Sequence, residues 1–275
     1  MSNKNQTLNS DKYIFWLNEH YCTISFQSEE ETVMHIPVNY QLSIFGKYTI
    51  PPTPETISVL MTEINENTKK TFLPNIISGQ QVDTSSNQIV TIMNLSFITQ
   101  DQQYSIIISN ERIDVNYNQI NESDINIEDF YKFATKALDT IIYYAKTASN
   151  RLAINIQQAH EIKSISQLNT IGKKIVKCVA YYNDKNFTEW STQINSQINT
   201  QINNSQETLN IITEIASRKD ETNQKPIILS HIDINTIPQN QNMRFNQDSL
   251  ASFVKNAVSI AINLTSDIEG LILDD

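Results

Sequence analysis

The sequence predicts an α+β protein in which antiparallel sheets are packed by long amphipathic helices. The prediction depends on one stretch where strand, turn and helix signals agree. Residues 103–118 form two β-rich runs on either side of a turn pair, which is typical of a β-hairpin. Residues 127–147 follow a capping residue, Asn126 or Asp124, and carry apolar side chains at every third or fourth position, which predicts a helix. Residues 151–156 then return as a strand.

The first fifty residues predict a small sheet. Alternating or β-branched runs indicate strands at 13–17, 21–27, 32–36 and 41–45. Pro37 separates the last two of these runs, because proline lacks the N–H group that a strand ladder uses. We therefore expect four short strands in this region.

The segment Pro51–Glu55 predicts the start of a helix. Thr53 is a good N-cap, and Pro54 suits the first helical position because its φ angle is already helical. Apolar side chains then recur on one helical face, so a helix is predicted at 54–67.

The next segment is predicted to be mostly loop, at residues 68–87, and its length makes it either a partner-facing loop or an excursion of the sheet. It contains Pro74 and Gly79 and ends in a polar cluster, which are turn and loop signals. Residues 88–99 follow as a strand with apolar side chains on both faces, which favours a central position in the sheet.

The spacing and type of residues predict the secondary structure of two segments after residue 156. Residues 166–176 predict a short helix. Within 187–217, the triplet Gln-Ile-Asn begins at residues 193, 197 and 201, a spacing that keeps its isoleucines on one face of either a helix or a strand. The β-branched and asparagine content favours strands over a helix.

The chain contains a candidate internal repeat. Residues 106–116 and 227–235 are similar after a two-residue gap, and each is followed by a predicted helix, at 127–147 and at 247–266. A true duplication and a chance similarity within an isoleucine-rich chain remain as alternatives. The predicted organisation is a disordered lead-in at 1–12, an N-terminal α+β half at 13–162 and a C-terminal α+β half at 163–275.

The composition limits the classes of function. Twenty Lys and Arg against thirty Asp and Glu give a formal charge of −10, which disfavours binding to nucleic acid or to an anionic membrane. Four scattered glycines are too few for phosphate-cradling loops, so no nucleotide cofactor is predicted. The polar beginning of the sequence predicts no secretory signal, and no apolar run is long enough to span a bilayer, so we expect a cytoplasmic protein.

The residue types used in catalysis are scattered. The four histidines and two cysteines show no metal-ligand spacing, and no glycine-flanked serine nucleophile occurs. Asp114 and Asp233 occupy equivalent places in the two similar strands, and paired carboxylates can bind a divalent ion or act as acid and base. Glu207, Glu214 and Asp220 are candidates to join them. The alternative is that one face of each strand is solvated, so no catalytic, cofactor or metal site is predicted.

The order of three segments resembles a sporadically distributed, uncharacterised bacterial protein family of about this length. The segments are the Pro51–Glu55 motif, the strand-helix unit around 127–158, and Ile232-Asp233-Ile234 followed by a helix that contains Phe253. In that family the Pro-Pro motif opens the chain, whereas here about fifty residues precede it. The resemblance implies a patchily inherited bacterial accessory gene and supplies no catalytic residue.

The function that these observations favour is a non-catalytic, acidic protein-binding module. The setting we expect is that of an accessory or inhibitor in a bacterial mobile element or in antiviral defence against phage. Long polar loops predicted at 68–87 and 236–247 would face the protein partner, and a homo-oligomer is compatible with the sequence. One alternative is a metal-dependent hydrolase that uses Asp114 and Asp233. Another is a chaperone-like module with an exposed apolar groove.

Overall fold

A computed structural model describes most of the chain. The predicted lead-in at 1–12 lies outside the described residues except for Lys12, and so does Asp220. The described residues are 12–17, 20–25, 35–83, 88–119, 125–175, 184–187, 189–219 and 225–273.

The described residues form eleven strands and four helices. The strands are β1 (Lys12–Leu17), β2 (His20–Ser25), β3 (His35–Phe45), β4 (Phe72–Asp83), β5 (Gln88–Thr99), β6 (Tyr104–Ile108), β7 (Arg112–Asn118), β8 (Arg151–Glu161), β9 (Ser191–Ile202), β10 (Ser205–Lys219) and β11 (Pro226–Thr236). The helices are α1 (Pro54–Thr68), α2 (Ile127–Ala145), α3 (Ile165–Ile175) and α4 (Gln247–Leu273).

Nine of the described strands form one antiparallel sheet in the order β4-β5-β6-β7-β3-β8-β11-β10-β9. The hairpins β4-β5, β6-β7 and β9-β10 keep neighbours in sequence together, whereas β3 lies between β7 and β8. Among the strands of the described residues, β1 and β2 pair only with each other. The α+β class predicted from the sequence is confirmed, with sheet as the larger component.

The prediction of two short strands around Pro37 is wrong. The chain from His35 to Phe45 is one strand, and a register shift between Pro37 and Asn39 accommodates the proline in its pairing with β8. Tyr40, Leu42 and Ile44 point into the core and are almost fully buried. β3 is therefore a central strand and not part of a separate N-terminal sheet.

The prediction that 68–87 is mostly loop is also wrong, because Phe72–Asp83 forms the edge strand β4, in agreement with the alternative that this segment is an excursion of the sheet. Pro74 lies inside this strand, opposite Phe97 of β5. An edge strand tolerates proline because one side of its backbone needs no partner within the sheet. The predicted strand at 88–99 is confirmed as β5, but its predicted central position is wrong, because β5 lies next to the edge strand β4.

Both helices that the sequence places most firmly begin where it predicts. Thr53 caps α1 by accepting a hydrogen bond from Thr56 N, and Asn126 caps α2 by accepting one from Glu128 N. Each helix ends at a lysine in the left-handed region, Lys69 with a φ of 59° and Lys146 with a φ of 50°. Such a residue lets the chain turn away sharply after the last helical turn.

The helices α2 and α4 cover one face of the sheet. α2 contacts β3 and β7, and α4 contacts β8, β11 and β9. The fully buried side chains that these two helices contribute are Phe130, Ala134, Ala137, Leu138, Ile141, Leu250, Phe253, Ala257 and Ala261. α4 is one to two turns longer than the predicted helix at 247–266. The short helix predicted at 166–176 is confirmed as α3 within one residue.

Candidate functional site

The face of the sheet opposite α2 and α4 carries polar side chains on its central strands. Asp114 of β7 accepts hydrogen bonds from Ser43 Oγ and from Arg112 Nε, each at 2.6 Å. Asp114 is 9% exposed, and Ser43 is fully buried. The carboxylate that the sequence offers as a metal ligand is therefore already engaged in an ion pair with Arg112 of the same strand.

A chain of hydrogen bonds continues from this ion pair across the sheet. Arg112 Nη2 donates to Gln41 Oε1 at 3.1 Å, and Gln41 Nε2 donates to Asn116 Oδ1 at 2.8 Å. Asn155 of β8 donates to the same Gln41 oxygen at 3.3 Å. His231 Nε2 of β11 lies 3.0 Å from Asn155 Oδ1. Side chains of the four adjacent strands β7, β3, β8 and β11 thus form one hydrogen-bond network.

His231 sits among acidic groups but is mostly buried. Burial lowers its pKa, while the carboxylates of Asp233 and Glu214 act in the opposite direction. The ring is therefore neutral at neutral pH. Glu214 of β10 lies directly opposite His231, and Asp233 accepts a hydrogen bond from Asn235 Nδ2 at 3.0 Å.

The two aspartates singled out by the sequence do not come together. Asp114 lies on β7 and Asp233 on β11, with β3 and β8 between them. Three interstrand spacings separate their backbones by roughly 14 Å, too far for both carboxylates to bind one ion. Within the described residues, no group of three or more His, Cys, Asp or Glu side chains is placed to hold a metal ion.

Glu207 belongs to a different contact, which the sequence does not predict. Its two carboxylate oxygens accept hydrogen bonds from Arg244 Nε at 2.8 Å and Nη2 at 3.0 Å. Arg244 also donates to the backbone oxygens of Asn150, Asn240 and Asn242. The predicted partner-facing loop at 236–247 is therefore fixed to β10 by a buried, bidentate ion pair.

A groove of about 580 Å³ lies between α1 and α2. Asp139 is its most unusual group, because burial raises the pKa of this carboxyl to about 6, with Asp248 adding to the increase. Its Oδ1 atom is buried without a hydrogen-bond partner among the described residues. The groove is lined by Val59, Leu60, Glu63, Asn67, Lys136, Asp139, Thr140, Tyr143, Tyr144 and Gln247.

The edge strand β9 is a largely exposed element of the large sheet. Among the described strands it pairs only with β10, and almost all of its residues are exposed. Ile194 is 62% exposed and Ile198 is 37% exposed, although both lie on the face that α4 covers further along the strand. The twelve residues of β9 include no proline, no glycine and no charged residue.

The hairpin turn determines which backbone groups of β9 are free. β9 and β10 are joined by the two residues Asn203 and Asn204, so Ile202 and Ser205 form the closing hydrogen-bonded pair. Even-numbered residues of β9 therefore direct their N–H and C=O groups toward β10, and odd-numbered residues direct theirs outward. The outward oxygen of Gln201 agrees with this, because it accepts a hydrogen bond from α4, at 2.9 Å from Asn256 Nδ2.

Comparison with known proteins adds no assignment to these sites. The chain matches no protein-family model and has no significant match among curated proteins. None of the helices in the described part of the chain combines the length and the apolar character needed to cross a membrane.

Proposed function

We propose that the protein is a non-catalytic protein-binding module that accepts an extended strand at the free edge of β9. An unpaired strand edge presents a row of N–H donors and C=O acceptors, and a second strand can bind there by continuing the sheet. The observation that carries this proposal is the length and exposure of β9 together with its lack of protective residues.

Natural proteins usually protect such an edge. Charged side chains, proline, glycine bulges or a covering helix prevent unwanted pairing. In β9 the end near Ile202 is covered, where Ser252 of α4 accepts a hydrogen bond from Asn203 N at 2.9 Å. Among the described residues, the backbone edge from Thr192 to Asn199 has none of these protections. An edge left open over this length suits a strand-binding function.

The pairing of the polar groups described above supports a non-catalytic function. Asp114 and Glu207 are each paired with an arginine, and His231 is hydrogen-bonded to Asn155. Groups that satisfy one another in this way hold the strands in register. A hydrolase based on Asp114 and Asp233 would need the two carboxylates to approach across two intervening strands.

The test is an edge-blocking substitution with a matched control. Gln197 points its N–H outward, so Gln197→Pro removes a donor from the free edge and leaves the β9-β10 pairing intact. Gln197→Thr changes the side chain and keeps the N–H. Tagged proteins would be used to capture partners from host lysate, with quantification by mass spectrometry.

We expect a stoichiometric partner with the wild-type protein and with Gln197→Thr, and its loss with Gln197→Pro. Partner binding that is equal in all three proteins would overturn the role of β9. Hydrolysis of a nucleic acid or nucleotide with Mg²⁺ or Mn²⁺, abolished by a folded Asp233→Asn variant, would overturn the non-catalytic function.

A chaperone-like function is a second candidate, and one observation favours it. The β4-β5 hairpin exposes two large apolar side chains on one face of the sheet, where Ile76 is 46% exposed and Met93 61%. If this surface binds unfolded chains, the protein will suppress aggregation of a heat-denatured client, and Ile76→Ser with Met93→Ser will reduce the suppression.

The remaining features stay predictions of the sequence. They are the bacterial accessory or phage-defence setting, the cytoplasmic location, the division into two related halves, and the packing of the sheet by long amphipathic helices.

A further inference from the structure

The sequence of β9 is nearly symmetric about its own centre. Read outward from Ser196, the residues on the two sides match in chemical class at every step from 195 and 197 to 192 and 200. The matched residues are Asn195 and Gln197, Ile194 and Ile198, Gln193 and Asn199, and Thr192 and Thr200. A strand with this symmetry is complementary to itself when the second copy runs in the opposite direction.

We propose that the strand bound at the edge of β9 is β9 of a second copy of this chain. This inference rests on the proposed function, because it names the partner of the same edge. Two copies related by a twofold axis through Ser196 would join their sheets into one continuous antiparallel sheet. The interface would be the same surface on both copies, as in most homodimers.

The direction of the backbone groups fits this register. Ser196 directs its N–H and C=O toward β10, so the Ser196 pair on the axis is a non-hydrogen-bonded pair. The groups that point outward belong to the odd-numbered residues, which face one another across the axis as Asn195 with Gln197 and Gln193 with Asn199. These pairs would exchange about eight backbone hydrogen bonds when both halves of the interface are counted.

The side chains fit the same register. Ile194 of one copy would lie opposite Ile198 of the other in a non-hydrogen-bonded pair, where side chains are closest. Each isoleucine is exposed in the single chain, so the pairing removes apolar surface from water. On the other face, amide side chains would lie opposite amide side chains, which can donate to and accept from each other.

One alternative register has similar symmetry but conflicts with the structure. An axis through Ile198 would pair Ile194 with Ile202, because the Gln-Ile-Asn triplet repeats every four residues. Ile202 is only 2% exposed, and the outward oxygen of Gln201 is already hydrogen-bonded to Asn256. The axis through Ser196 avoids this covered end of the strand.

Charge does not oppose the association at this surface. The chain has a formal charge of −10, so two copies repel each other on most approaches. β9 has no charged residue. The acidic residues nearest its two ends are paired, Glu189 with Arg218 and Glu207 with Arg244.

The first experiment is site-directed disulfide formation. Cα atoms in a non-hydrogen-bonded antiparallel pair lie about 4.5 Å apart, within the range that a disulfide bridges. We expect Ser196→Cys to form a covalent dimer under mild oxidation, because the residue faces its own copy across the axis. Thr192→Cys is the matched control, since it would face Thr200 and not itself. The wild-type protein shows the background from Cys22 and Cys178.

The second experiment measures the reversible dimer by analytical ultracentrifugation. Gln197→Pro removes one edge donor from each copy, so we expect the dissociation constant to rise about 30-fold, with Gln197→Thr close to wild type. Thermal unfolding of the variants checks that each is folded.

The outcomes separate this inference from the proposed function. A Ser196→Cys covalent dimer together with a dimer weakened by Gln197→Pro supports the second copy as the partner. A monomer without the disulfide, whose capture of another protein still depends on β9, overturns the second copy and leaves the proposed function standing. A monomer with no β9-dependent partner overturns both.

Discussion

The two edges of the large sheet are built differently. β4 contains Pro74 and Gly79 and ends in Asp83, and its first residue, Phe72, is buried and stacks on Phe133 of α2 at a ring distance of 6.2 Å. β9 has no proline, glycine or charge. Within the described part of the chain, the β4 edge is therefore protected and the β9 edge is open.

The difference shows what an open edge requires from the rest of the fold. An exposed edge is useful for recognition only if the strand behind it is held in place, because a loose hairpin loses entropy when a partner orders it. β9 is held by β10, by the turn contact to α4 and by Trp190 at its start. The first two predictions weaken that support and leave β4 unchanged.

The largest effect is expected from Arg244→Ala. Arg244 and Glu207 have side chains that are 17% and 8% exposed, so the substitution leaves a buried carboxylate without its cation. We expect a loss of about 3 kcal/mol in the free energy of unfolding, measured by denaturant titration. The dimer formed through β9 should weaken as well, because Glu207 lies opposite Thr200 of β9.

The control for this prediction is Arg218→Ala. The pair of Arg218 with Glu189 has a similar N–O distance of 2.8 Å, but its side chains are 35% and 68% exposed. Exposed ion pairs contribute less than about 1 kcal/mol. If Arg244→Ala and Arg218→Ala lower the free energy of unfolding by the same amount, burial of the Arg244–Glu207 pair does not add to the stability of this part of the sheet.

The second prediction concerns Gly172, which supports the start of β9 from α3. A Cβ atom at this position would lie 2.6 Å from Trp190 Nε1 and 3.0 Å from Phe187 Cδ2. Gly172→Ala therefore forces the indole away from α3, and we expect a loss of about 1 to 3 kcal/mol in the free energy of unfolding, again measured by denaturant titration.

Gly270 provides the matched control within α4. An added Cβ there meets nothing within 4 Å, so Gly270→Ala should stabilise the helix by about 0.5 to 1 kcal/mol. If Gly172→Ala is as well tolerated as Gly270→Ala, the close packing of Trp190 does not position β9.

The sequence predicts β9 better than β4, and the reason is physical. β9 and β10 are rich in β-branched residues and contain no proline or glycine, whereas Pro74 and Gly79 suggest a loop in place of β4. The same residues are tolerated in a strand when it lies at an edge. Position at an edge is a property of the whole sheet, and no local pattern in one sequence reveals it. The self-complementarity of 192–200 is visible in the sequence but gains meaning only once β9 is known to be an edge strand.

The side-chain contacts are less predictable than the strands. The sequence places Asp114 and Asp233 on strands correctly, but their separation depends on the order β7-β3-β8-β11, which is set by pairings between distant segments. The contact of Glu207 with Arg244 joins residues 37 positions apart, across a hairpin and a loop. Neither arrangement leaves a periodic signal in the sequence.

The third prediction turns the protected edge into an open one. Pro74→Thr restores an N–H group and a β-forming side chain in β4. With both edges open, copies can continue the sheet in both directions, so we expect species larger than a dimer and light scattering that rises with concentration. Adding Ile76→Lys should reverse the effect, because a charge on the edge opposes pairing. If the Pro74→Thr protein forms no larger species than the wild type does, Pro74 is not what protects the β4 edge.

The smallest effect is a pH dependence that should have no source in β9 itself and a specific one in the α1-α2 groove. β9 has no titratable side chain, so dimer affinity should change between about pH 5 and about pH 7.5 only through the overall negative charge of the chain, which is smaller at the lower pH. Asp139 has a pKa of about 6 in the folded protein, above the ordinary value of 3.8. The folded state thus holds this proton more tightly than the unfolded state does, and its contribution to stability is lost as the pH rises through about 6.

Asp139→Asn should remove this loss, so its advantage over the wild type in the free energy of unfolding should be larger at about pH 7.5 than at about pH 5. A constant difference between the two proteins would assign the titration to another group, and a dimer that dissociates over the same pH range would show that the edge and the groove are coupled.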